Sequence, residues 1–118
     1  MRPDPTWISD WRIGLAPSRE TEVSRELVRV FAAFWDGEGL SEKAKTTRSR
    51  YSGALHALGG YLVEQAVSEE GRGKTADELL DELAGPDEGP LIHHDNETWQ
   101  RDVDTVCRKL HRYRSRQR

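Results

Sequence analysis

The chain has 118 residues, 33% of them charged, a formal net charge of -3 and one cysteine, Cys107. That length fits one domain and leaves too little for two separate cores, and a lone cysteine excludes an internal disulfide. No run approaches the roughly 20 apolar residues of a membrane span, and Met1 to Trp11 lacks the cationic-then-apolar order of a signal peptide, so a cytoplasmic protein with no membrane partner is expected.

Residues 1–16 read as an N-terminal arm packed on a bundle. Pro3, Pro5 and Gly14 make it irregular, while Trp7, Ile8, Trp11, Ile13 and Leu15 supply apolar anchors. Residues 17–118 read as a single helical domain with a basic C-terminal helix end. Its first helix starts at Pro17 and Ser18, carries Val23, Leu27, Val30, Phe31 and Phe34 on one face, and ends at Gly37 and Gly39.

The second long helix is predicted to start at Ser41 as N-cap, with Tyr51, Leu55, Leu58 and Leu62 as its apolar stripe. Gly59 and Gly60 lie inside that stripe and each costs about 1 kcal/mol against alanine. Because the stripe runs through them in phase, they predict close packing rather than a break.

Beyond the polar connection 68–74, Thr75 and Glu78 form a capping box that opens a short helix through Leu79, Leu80 and Leu83, with Gly85 and Pro86 as stop signals. The last helix is predicted to start at Asp95 or Asn96 and aligns Trp99, Val103, Val106, Leu110 and Tyr113 at 100° per residue. No sustained period-two pattern or internal repeat is present. The expected fold is all-α, a small bundle of about four helices.

Charge is distributed unevenly. Residues 64–88 hold nine acidic residues against Arg72 and Lys74, whereas 105–118 hold six basic residues and no acid. On the last helix Arg101, Arg108, Arg112 and Arg116 project opposite the apolar stripe, with Lys109 flanking them. A second cluster, Lys43, Lys45, Arg48 and Arg50, sits at the start of the second long helix with Thr46, Thr47 and Ser49 interleaved.

Guanidinium groups, ammonium groups and a helix N-terminus suit phosphate. Cations near a helix C-terminus also stabilise its dipole without any ligand, and the acidic segment offers them an intramolecular partner.

Other candidate chemistry is weaker. Gly73, Lys74 and Thr75 look like the end of a phosphate-binding loop, but the glycine that loop needs at position 68 is Ser68 and no strand precedes it. His93, His94, Asp95, Cys107 and His111 would have to converge to hold zinc, and their spacing matches no standard site. A Cys107 and His111 nucleophile pair lacks a third group to orient the histidine, and Cys107 reads as a semi-buried apolar residue at the core edge. The acidic residues have the spacing of a solvated face. No catalytic residue, metal or cofactor is expected.

From Phe34 to Leu62 the residues Gly39, Leu40, Ser41, Glu42, Lys43, Thr47, Tyr51, Leu55, Leu58, Tyr61 and Leu62 resemble the SAM-like core-binding domain of phage integrases and other tyrosine recombinases. The resemblance implies a helical bundle that grips DNA from one side, with Lys43, Lys45, Thr47 and Arg48 nearest the DNA. The arginines, histidine and tyrosine nucleophile of that family's catalytic domain have no counterpart here, so a binding module and not a recombinase is implied.

The expected function is non-enzymatic binding of DNA or another polyanion through Lys43, Lys45, Thr47, Arg48, Arg50, Arg101, Arg108, Lys109, Arg112 and Arg116. The competing expectation is a protein-interaction or self-associating bundle, a homo-oligomer included, in which Trp7, Trp11 and the acidic segment face the partner.

Overall fold

A computed structural model describes residues 1–118 as five α-helices and no strand. They are α1 (Trp7–Asp10), α2 (Pro17–Gly37), α3 (Lys45–Ala66), α4 (Ala76–Leu83) and α5 (Glu97–Gln117), with a 3-10 turn at Leu40–Glu42. The fold is thus the expected all-α bundle with one addition, the single turn of α1 inside the arm. No helix is long and apolar enough to cross a membrane.

The predicted stripe of α2 is buried in full, from Val23 to Phe34, and Trp35 is buried beside it. Trp35 also explains why the start of α3 differs from the expectation. A buried indole N–H must find an acceptor, and it donates to Ser41 Oγ at 2.8 Å. Ser41 is therefore spent on Trp35 within the 3-10 turn, and α3 begins later, after extended Ala44 with ψ 151°.

Helix α3 is central, packing against α2, α4 and α5. Its stripe Tyr51, Leu55, Leu58 and Leu62 is buried, and burying each such side chain contributes about 1.5–3 kcal/mol. The close packing expected at Gly59 is against the arm: a Cβ there would fall inside the Trp11 ring. Trp11 Nε1 donates to the His56 carbonyl at 2.9 Å, and Trp7 meets Trp11 edge-on at 5.8 Å. Arg2 pairs with Asp36 at 2.7 Å and Ser52 Oγ donates to the Met1 carbonyl at 2.8 Å. Trp7 and Trp11 belong to the same core cluster as the helix stripes.

Two of the expected arm anchors lie outside the core. Ile13 is exposed and Leu15 more so, because residues 13–16 turn their backbone N–H groups inward onto the Glu20 carboxylate. Their side chains then point to solvent.

The capping box of Thr75 and Glu78 is formed as expected, and α4 buries Ala76, Leu79 and Leu80 against α2 and α3. Asn96 caps α5, its side chain accepting the Trp99 N–H at 3.0 Å. Val103, Val106 and Leu110 are buried, Tyr113 is half-buried, and Cys107 lies in the core rather than at its edge. Trp99 does not follow its stripe: it is 59% exposed. Its phase is right, but it sits in the first turn of α5, beside exposed Gly53 of α3, where the His93 ring meets it edge-on and leaves it open to solvent. The radius of gyration, 13.3 Å, matches the value of about 13.5 Å for one folded domain of this length.

Candidate nucleic-acid interface

The two basic clusters meet along the seam between α3 and α5, where the helices run antiparallel. One depression, of about 510 Å³, is lined by Glu38, Leu40, Lys43, Thr47, Tyr51, Lys109, Arg112 and Arg116. The next, of about 280 Å³, is lined by Thr47, Arg50, Tyr51, Arg101, Asp102, Thr105 and Val106. Thr47 and Tyr51 border both, so the two form one continuous seam.

Six exposed cations and two carboxylates line it. Among the cations only Arg116 is ion-paired, with Glu38 at 3.4 Å. Lys43, Arg50, Arg101, Lys109 and Arg112 form no ion pair. Lys109 Nζ stands 5.4 Å from the centre of the Tyr51 ring, within the range of a cation–π contact. Ala44 brings no capping side chain, so the first amides of α3 open at the same end of the seam and add the positive end of the helix dipole.

The basic tail is divided by helix phase. At 100° per residue Lys109, Arg112 and Arg116 fall on one side of α5, while Arg114 falls within the apolar arc between Leu110 and Cys107. Arg114 is accordingly buried, 7% exposed, and donates to Asp81 Oδ1 at 2.9 Å and Asp77 Oδ1 at 3.1 Å. Arg118, four residues on, also pairs with Asp81. The acidic segment thus engages Arg114 and Arg118 from α4, and none of its carboxylates lines the seam.

The remaining expected residues lie off the seam. Arg108 turns to the Asp87 carbonyl at 3.2 Å and to Thr105 Oγ1 at 3.3 Å. Lys45 is exposed at the first position of α3, and Arg48 is half-buried with its Nε unpartnered. Sequence reasoning missed Glu38, Asp102, Thr105 and Tyr51 as seam residues. For Asp102 and Thr105 the signal was present, since both share the helix phase of Lys109.

Elsewhere the candidate chemistry dissolves into structure. Lys74 pairs with Glu82 at 2.7 Å in the turn before α4. No three His, Cys, Asp or Glu side chains come together as metal ligands, and His93 instead meets Trp99 edge-on at 5.4 Å. Burial, with Asp104 nearby, pushes the Cys107 thiol up to about 12, the opposite of what a nucleophile requires. Trp7 and Trp11 are both buried and have no face to offer a partner.

No protein-family model matches the chain, and comparison with curated proteins and solved structures gives no match either.

Proposed function

We propose that the chain is a non-enzymatic nucleic-acid-binding module that holds phosphates along the α3/α5 seam. The observation that carries this reading is the row of Lys43, Arg50, Arg101, Lys109 and Arg112, exposed, unpaired and contiguous in a chain whose net charge is -3. Six cations against the two carboxylates Glu38 and Asp102 leave the seam with an excess of positive charge, and a polyanion relieves the repulsion among them while releasing its own counterions. Thr47 and the uncapped amides of α3 add neutral donors of the kind that hydrogen-bond to phosphate oxygens. The resemblance of residues 34–62 to the core-binding domain of tyrosine recombinases points the same way. We assign the module to the cytoplasm, where a buried thiol without a second cysteine is at home.

Fluorescence anisotropy with labelled duplex and single-stranded oligonucleotides tests the proposal. Binding is expected at about 50 mM salt and is expected to weaken steeply by about 200 mM. Absence of binding to either strand form at the lower salt refutes it.

A further inference from the structure

Trp99 is a large indole left in water at the first turn of a well-capped helix, and a neighbouring ring supports it. The His93 ring backs it edge-on at 5.4 Å with an interplanar angle of 73°. The loop that carries His93 is itself tied down: Gln100 Oε1 accepts the N–H groups of Ile92 and His93 at 2.9 Å each, and Gln100 Nε2 donates to the Pro90 carbonyl at 2.9 Å. The indole is thus backed along one edge by a ring whose loop is anchored to α5.

In front of it lies a depression of about 400 Å³. Gly53 borders it with no side chain, and nothing lies within 4 Å of where its Cβ would be, so the space is open. Arg50 borders this depression and also the seam beside Arg101, which makes the indole the end of the basic track. Asp102 borders both as well. A carboxylate repels phosphate, but it accepts hydrogen bonds from the amino and ring N–H groups of a base.

We infer that the Trp99 depression receives a base of single-stranded nucleic acid whose phosphates lie along the seam. This inference rests on the seam being a phosphate-binding surface. A cationic track that ends on an exposed, supported aromatic ring is the combination that single strands use, with phosphates on the charges and a base on the ring. A duplex keeps its bases paired and stacked inside, so it can engage the seam but leaves Trp99 bare.

The test uses the full chain with a labelled single strand of about 12 nucleotides, the same strand lacking its bases, and the corresponding duplex. Trp7, Trp11 and Trp35 are buried, so Trp99 is also the tryptophan whose fluorescence a stacked base quenches. The single strand is expected to bind tighter than the other two and to quench emission. Trp99→Ala is expected to weaken it about tenfold or more while leaving duplex and base-free strand unchanged.

Unaltered single-strand affinity in Trp99→Ala, in a protein whose Lys109→Ala/Arg112→Ala variant does bind more weakly, overturns the base site and leaves the seam standing. Failure of every strand to bind removes the seam reading, and the base site with it. Light scattering that shows self-association abolished by Trp99→Ala overturns the inference in favour of a second copy of the chain on this face.

Discussion

Lys109 and Tyr51 meet across the α3/α5 seam, with the ammonium nitrogen 5.4 Å from the centre of the phenol ring. That contact joins the cluster before and within α3 to the cluster on α5, at the residue that borders both depressions of the seam. Lys109 and its neighbour Arg112 are exposed and free of ion pairs, so replacing both with alanine is expected to change stability by no more than about 0.5 kcal/mol each. The effect belongs in the salt dependence of binding. Removing one phosphate-binding cation should reduce the slope of log affinity against log salt by about 0.9 on duplex and about 0.7 on single strand. Arg118→Ala is the internal control, because Arg118 is committed to Asp81 and its removal is expected to leave the slope unchanged. Equal slopes in all three proteins would place the phosphate-binding groups elsewhere.

The Trp11 indole occupies the space in which a side chain at position 59 would stand. Gly59→Ala gains about 1 kcal/mol of helix propensity but forces the indole off α3, together with its hydrogen bond to the His56 carbonyl. Overpacking of this kind costs about 1–3 kcal/mol. With the lost hydrogen bond adding about 1 kcal/mol to that cost, a net loss of about 1–3 kcal/mol is expected in urea denaturation. Gly53→Ala, on the same helix but facing open space, is expected to gain about 0.5–1 kcal/mol. Two glycine substitutions in one helix with opposite signs separate packing from propensity, and two gains would show that the arm does not hold its place.

The features legible in the sequence are those that one helix decides for itself. The stripe from Val23 to Phe34, the capping box of Thr75 and Glu78 and the cap at Asn96 depend on spacing within a few residues, and all are formed. Arg114 was also readable, since its phase sets it among Leu110, Val103 and Cys107. What required the tertiary structure was any group whose partner comes from a distant segment. Ser41 has good capping chemistry, yet the buried indole of Trp35 competes for its hydroxyl. Trp99 has a core phase, yet no element covers the first turn of α5. The two basic clusters were each visible, while their union along one seam depends on α3 and α5 running antiparallel, which no local pattern encodes.

Glu20 is a buried carboxylate with no cationic partner, and it is satisfied by backbone alone. It accepts N–H groups from Ala16 at 2.7 Å, Ile13 at 2.8 Å, Leu15 at 2.9 Å and Gly14 at 3.0 Å. The hydrogen bonds from Ala16, Ile13 and Gly14 lead in lowering its pKa to about 2 from the ordinary 4.5. A depressed carboxylate stabilises the fold in full above 4.5 and loses that contribution as pH falls toward 2. Glu20→Gln keeps one acceptor oxygen but turns an amide group against N–H donors, and is expected to cost about 2–3 kcal/mol at neutral pH. The variant should also show a flatter decline in stability between 4.5 and 2. Parallel pH profiles for the two proteins would mean that the carboxylate does not hold the turn.

Arg114 is buried, but its partners are not: their side chains are 64% exposed at Asp77 and 43% at Asp81. That asymmetry sets what happens when the arginine is removed. The carboxylates can rehydrate where they stand, so no unpaired charge is left buried, and the loss is confined to charge-assisted hydrogen bonds and to the packing of the arginine stem. Arg114→Ala loses both and is expected to cost about 2–3 kcal/mol. Arg114→Met loses the hydrogen bonds but refills the space between Leu110 and Cys107, and the two carboxylates it leaves behind are exposed enough to be hydrated rather than buried unpaired. A cost of about 1 kcal/mol or less is expected for it. Urea denaturation of the two variants measures the difference. Equal losses would show that Arg114 acts through its charge on α4, and a milder methionine variant would show that it acts chiefly as a long side chain filling the end of the bundle.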